Sequence, residues 1–95
     1  MAARNVTLSI KADNWTELTD STVYSLRFNN LGNNFILVQG TAGAAEPTSV
    51  SGAIRYNPGT GERNVLLSDM FPGISGVNRL WAYSEWAAQV SVSHA

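Results

Sequence analysis

Hydrophobic and polar positions alternate with a period of two along most of this chain. Val6, Leu8 and Ile10 alternate with Thr7, Ser9 and Lys11, which describes a strand with one face in a core and the other in water. Trp15 and Leu18 fall in a second short extended segment, and Tyr24, Leu26 and Phe28 alternate with Val23, Ser25 and Arg27. The stretch NNLGNN at 29–34 supplies residues that tolerate positive φ, and the apolar run Phe35-Ile36-Leu37-Val38 follows at once. This predicts a β-hairpin whose second strand is central and buried.

Residues 40–48, GTAGAAEPT, are small, polar and broken by proline, and predict a long, flexible surface loop. Strands are expected at 52–56 and 64–67 around a turn at 57–62. Ser68 is placed to cap a single helical turn running to Phe71, which Pro72-Gly73 ends. Residues 79–84 and 88–93 read as a closing pair of strands around Glu85-Trp86-Ala87. No long window has helical periodicity. The expected fold is all-β: a small antiparallel β-sandwich or barrel of about seven or eight short strands with at most one short helical turn. It forms one domain spanning residues 1–95, without an internal repeat.

Composition narrows the function. With 95 residues and no cysteine, the chain has a thin core, no disulfide framework and no thiolate metal site, so self-association is an expected source of stability. The formal net charge is −1, and Arg4, Lys11, Arg27, Arg55, Arg63 and Arg79 are scattered singly. Nucleic-acid binding draws its affinity from clustered cations, so no nucleic-acid partner is expected. Neither an export signal nor an apolar run long enough to span a membrane is visible, so no membrane partner is expected and synthesis in a cytoplasm is. The sequons at Asn5 and Asn14 then read as chance products of Thr-rich strands.

The stretch YNPGTGERNV at 56–65 invites a phosphate-loop reading and fails it. Glu62 follows Gly61 where a phosphate loop carries Lys, and Asn64 stands where a dinucleotide fingerprint has its third Gly, so Pro58-Gly59 is turn chemistry. His94 is the sole histidine, beside a chain end expected to fray. Asp13, Glu17 and Asp20 lack the order of a calcium loop and read as solvated surface. No carboxylate pair is singled out for glycoside cleavage, and no triad has a base besides His94. No enzyme activity, metal or cofactor is expected.

Aromatic residues carry more information. Trp81 and Tyr83 are two apart, with Arg79 beside them, so they share a strand face. Either they form a stacking platform for sugar rings or a partner surface, or they fill the sandwich core, the commoner fate of such residues. Trp86 lies in a short polar turn with little core to reach, which favours an interface. Met70-Phe71-Pro72 is an apolar knuckle that serves either as core cover or as a subunit contact. The candidate interface residues are Trp86, Tyr83, Met70, Phe71 and Trp15.

The run GAIRYNPGTGERNVLLSDMFPGISGVNRLWAYSEWAAQVSVSHA, from 52 to 95, resembles small virion proteins of tailed bacteriophages. The shared features are a strand into a Pro-Gly turn, a Leu-x-Asp-Met-Phe-Pro-Gly knuckle, an Arg-x-Trp-Ala strand and a terminal Val-x-Val-Ser-His. NWTELTDSTVYSLRFNN at 14–30 is similar as well. The resemblance implies a capsid decoration (cement) protein on the outside of the head, commonly a homotrimer, with the major capsid protein as its partner. A tail or fibre carbohydrate-binding module acting through Trp81, Tyr83 and Trp86, and a head–tail or tail subunit, are the alternatives.

Overall fold

Eight strands answer the alternating pattern, and they fall into two sheets. The computed structural model describes residues 3–95. In chain order the elements are β1 (Arg4–Ile10), β2 (Asn14–Glu17), β3 (Ser25–Asn30), β4 (Ile36–Thr41), β5 (Ile54–Tyr56), β6 (Gly61–Leu66), α1 (Leu67–Met70), β7 (Arg79–Ser84) and β8 (Ala88–His94). One sheet has the order β1-β8-β3-β6 and the other β2-β7-β4-β5, with every pairing antiparallel. This strand order is that of an eight-stranded jelly roll, in which two four-stranded sheets face each other across one core.

Alternation decides what enters that core. Ile10 of β1, Leu26 and Phe28 of β3, Ile36 and Val38 of β4, Leu80 and Ala82 of β7, and Val90 and Val92 of β8 all point inward and are buried. Phe28 meets Tyr56 edge-on, with ring centroids 4.9 Å apart. Loop residues Leu18, Val23, Phe71 and Val77 complete the core. Gly40 packs closely in this core: a Cβ there would lie 2.8 Å from both Phe71 Cδ2 and Val77 Cγ2.

The expected hairpin between 23–28 and 35–38 does not form, because β3 and β4 belong to different sheets. Residues 31–35 arch across the roughly 10 Å gap between sheets, so the inward faces of the two strands meet through the core. None of the asparagines at 29–34 has positive φ, and Asn30, at the foot of the arch, acts through its side chain instead. Asn30 is fully buried. Its Nδ2 donates to Asn34 O at 2.9 Å and Tyr56 O at 3.1 Å, and its Oδ1 accepts from Gly32 N at 2.9 Å. The strands over 79–84 and 88–93 are likewise no pair: β7 is interior in one sheet and β8 interior in the other.

Smaller departures have local causes. Tyr24 precedes β3 and is exposed, while Val23 takes the buried place. β6 begins at Gly61, earlier than expected, and is bulged where Arg63 and Asn64 oppose Arg27. Helix α1 starts after Leu66 with no side-chain cap, so Ser68 lies inside the turn and caps nothing. The turn at 57–60 matches expectation: Thr60 N donates to Asn57 O at 3.1 Å, with Pro58 first and Gly59 at φ 81°, a type II turn.

His94 departs most from its expected place. It ends an interior strand, its side chain is fully enclosed, and its Nε2 lies 3.5 Å from Asp20 Oδ1. Arg4 Nε approaches the other oxygen of Asp20 at 3.4 Å. Strand pairing of β8 with β1, through Arg4↔His94, is what keeps this chain end from fraying.

Candidate interaction face

The outer faces of the two sheets differ sharply in chemistry. On the β1-β8-β3-β6 sheet, the outward row Thr7, Ser91 and Asn29 and the row Asn5, Ser93 and Arg27 are polar throughout. On the β2-β7-β4-β5 sheet, the cross-strand register aligns Trp15, Tyr83, Leu37 and Arg55 in one outward row. This row is the spine of the candidate site.

Each contact in it follows from strand parity. Trp15 and Tyr83 are directly opposed, with ring centroids 5.3 Å apart and planes tilted by 52°. Leu37 faces Tyr83 from the other side, and Phe35 precedes it on the same face, two residues along. The Arg55 guanidinium lies 3.9 Å from the Phe35 ring centroid, a cation–π contact. Trp86, in the β7–β8 turn, meets Phe35 edge-on at 5.8 Å. Between them Phe35, Leu37, Val50, Tyr83, Ser84 and Glu85 line a pocket of about 180 Å3. Val50 in this lining and Trp86 beside Phe35 remain 47% and 43% exposed.

Tyr83 also has a polar anchor. Its hydroxyl donates to Asp13 Oδ1 at 3.3 Å, and Asp13 is held in reach by its own φ of 61° and by a bond from its N–H to Ser84 O. Desolvation, then the Asp13 and Glu85 carboxylates, push the Tyr83 hydroxyl above the ordinary tyrosine range.

Trp15, Tyr83 and Trp86 thus come together, as three of the five candidate residues. Phe71 is elsewhere, packed in the core beneath Gly40 as core cover. Half-buried Met70 lines a separate groove with Gln39, Gly52 and Ile74. Trp81 shares the outward face with Tyr83 but does not fill the sandwich core. It is covered on the outside of its sheet, with its indole N–H donating to Thr41 Oγ1 at 2.9 Å.

Phe35, Leu37, Val50 and Arg55 are face residues that sequence reasoning missed. The run at 35–38 reads as uniformly buried, whereas β4 alternates and Leu37 turns outward. Pairing with Arg55 across the strand, invisible in sequence, is what places Leu37 in the row.

The carboxylates at 13–20 are taken up by neighbouring side chains. Asp20 bridges Arg4 and His94. Glu17 Oε2 accepts from Arg79 Nη1 and Thr19 Oγ1, each at 2.9 Å. Asp13, Glu17 and Asp20 therefore each have a partner, while Asp13 and Asp20 remain exposed at the surface as expected. Among the described residues no group of three or more His, Cys, Asp or Glu side chains is placed to hold a metal ion. Comparison with protein-family models, with curated proteins and with solved structures finds no match to this chain.

Proposed function

We propose that this protein is a binding module without bond-making chemistry, a capsid decoration protein that docks on the outer surface of an assembled bacteriophage head. The observation that carries the reading is the aromatic outer face of β2-β7-β4-β5, set against an opposite sheet whose outward rows on β1, β8 and β3 are polar. Trp, Tyr and Arg anchors beside aliphatic side chains have the composition of interface hot spots, which gain most when water is excluded around them. Two further supports are the resemblance of residues 14–30 and 52–95 to small virion proteins and the jelly-roll order. The second is a fold-level analogy to viral capsid and lectin domains.

A module that binds only the assembled shell stabilises it by mass action. Contact with the major capsid protein across neighbouring subunits makes the assembled state the one that is recognised. The test is co-sedimentation of the purified protein with mature heads and with unassembled shell subunits. Binding is expected to heads alone, and Trp86→Ala is expected to weaken it by roughly 30-fold, a hot-spot effect. Failure to bind heads, or equal binding by Trp86→Ala, refutes the reading.

The same face supports a second reading. A tilted Trp15–Tyr83 pair beside a small pocket is suited to stacking a sugar ring. Glycan binding lost on Trp86→Ala, without affinity for heads, moves the assignment to a tail or fibre module.

A further inference from the structure

Among the described residues four strand edges have no partner: β1 and β6 in one sheet, β2 and β5 in the other. Proteins guard such edges with short strands, bulges and charges. β2 has four residues and β5 three. β6 is bulged and carries Glu62 and Arg63. β1 has only one of them, the charge of Arg4 at its first residue. It runs for seven residues in unbroken register with β8, from Arg4↔His94 to Ile10↔Ala88. It has no proline, glycine or charge from Asn5 to Ile10. Among the described residues, no backbone hydrogen bond joins residues 5–9 to any element but β8. Alternate N–H and C=O groups along β1 therefore point away from the sheet. Val6 is 42% exposed although it has inward parity.

We propose that β1 pairs antiparallel with β1 of a second copy of this chain, about a two-fold axis at Thr7, making one continuous eight-stranded sheet. The strand is self-complementary in this register. Thr7 opposes Thr7 of the second copy, Asn5 opposes its Ser9, and Val6 opposes its Leu8. Polar positions thus meet polar ones on the outer surface, and the exposed side of Val6 is covered by an aliphatic neighbour. A slip of one residue would set polar positions against apolar ones.

Charge selects the direction. Arg4 and Lys11 lie at opposite ends of the segment. Antiparallel pairing sets Arg4 opposite Ile10 of the second copy, with that copy's Lys11 next to it on the other face of the sheet, whereas parallel pairing in register sets each charge directly against its own copy, and like charges directly opposed are destabilising. The contact is isologous and closes at two copies, not at the three that the virion resemblance implies. It leaves the aromatic face of the other sheet free, and it does not depend on what that face binds.

Sedimentation velocity on the full chain and on Thr7→Lys and Thr7→Glu tests the proposal. Thr7 is exposed, so both variants keep the fold, which circular dichroism verifies. The unsubstituted chain is expected to be a dimer. Each variant alone is expected to dissociate at least about tenfold more readily, since the two-fold sets each new charge against itself. An equimolar mixture of T7K and T7E at low salt is expected to restore a dimer containing one of each. A chain that is monomeric up to about 1 mM overturns the proposal. So does a trimer, or an oligomer that both variants leave unchanged.

Discussion

Replacing Asn30 by Ala removes three side-chain bonds, two within the β3–β4 arch and one from the arch to Tyr56 O at the end of β5. Gly32 N and Asn34 O lie in half-exposed residues and recover water, so each lost bond costs about 1 kcal/mol. Tyr56 O belongs to a buried residue, and stranding it costs about 1–3 kcal/mol. The expected destabilisation is about 3–5 kcal/mol, a large share of the roughly 5–15 kcal/mol that holds a domain together. At this chain length it corresponds to a fall of roughly 12–40 °C in Tm. Urea unfolding followed by tryptophan fluorescence reads it as a lower midpoint at unchanged slope. Asn30→Asp is the sharper variant, because it keeps the acceptor for Gly32 N but turns a carboxylate toward two carbonyl oxygens. It is expected to cost at least as much as the alanine. Asn34→Ala, which removes a side chain without a hydrogen bond, is the control and is expected to stay within about 0.5 kcal/mol. An Asn30→Ala cost below about 1 kcal/mol would mean that the arch is held by something other than this amide.

Gly40→Val places its Cβ 2.8 Å from Phe71 and Val77, and overpacking here is expected to cost about 1–3 kcal/mol in the same urea assay. An unchanged midpoint would show that the knuckle at 71–77 yields without cost. Spectrophotometric titration should separate the tyrosines: burial first, then the hydrogen bond to Glu62, raises Tyr56, and Tyr83 is raised too. A raised acid stays protonated in the folded state while the unfolded chain ionises. Stability is therefore full below about pH 10 and falls as pH rises beyond the ordinary tyrosine value. Stability that rises between about pH 9 and 11 would contradict this sign. Trp81→Phe removes the indole bond to Thr41 and is expected to cost about 1 kcal/mol in the urea midpoint. It should leave head binding intact, since Trp81 is covered; a binding loss as large as that of Trp86→Ala would place Trp81 in the contact.

Period-two parity was legible because it is local. Val6, Leu8 and Ile10 predict their own sidedness whatever strand lies beside them, and so do Leu26 and Phe28. Pro58-Gly59 announces its type II turn for the same reason: φ preferences belong to the residues themselves. The run at 35–38 misled because an aliphatic outward position, Leu37, looks the same in sequence as an inward one. Trp86 stood out only through its polar surroundings, and those surroundings say nothing about Phe35 as its neighbour.

Taken alone, the amino-acid order determined the all-β class, which side chains alternate, and where short-range turn chemistry falls. Strand partnership was decided by the tertiary structure. A short connector serves equally as a hairpin or as an arch across two sheets, and only burial of both inward faces against one core selects the arch. The aromatic face follows from that choice. Trp15, Leu37 and Tyr83 are neighbours because β2 and β4 flank β7, a juxtaposition that long-range pairing creates and no local preference encodes.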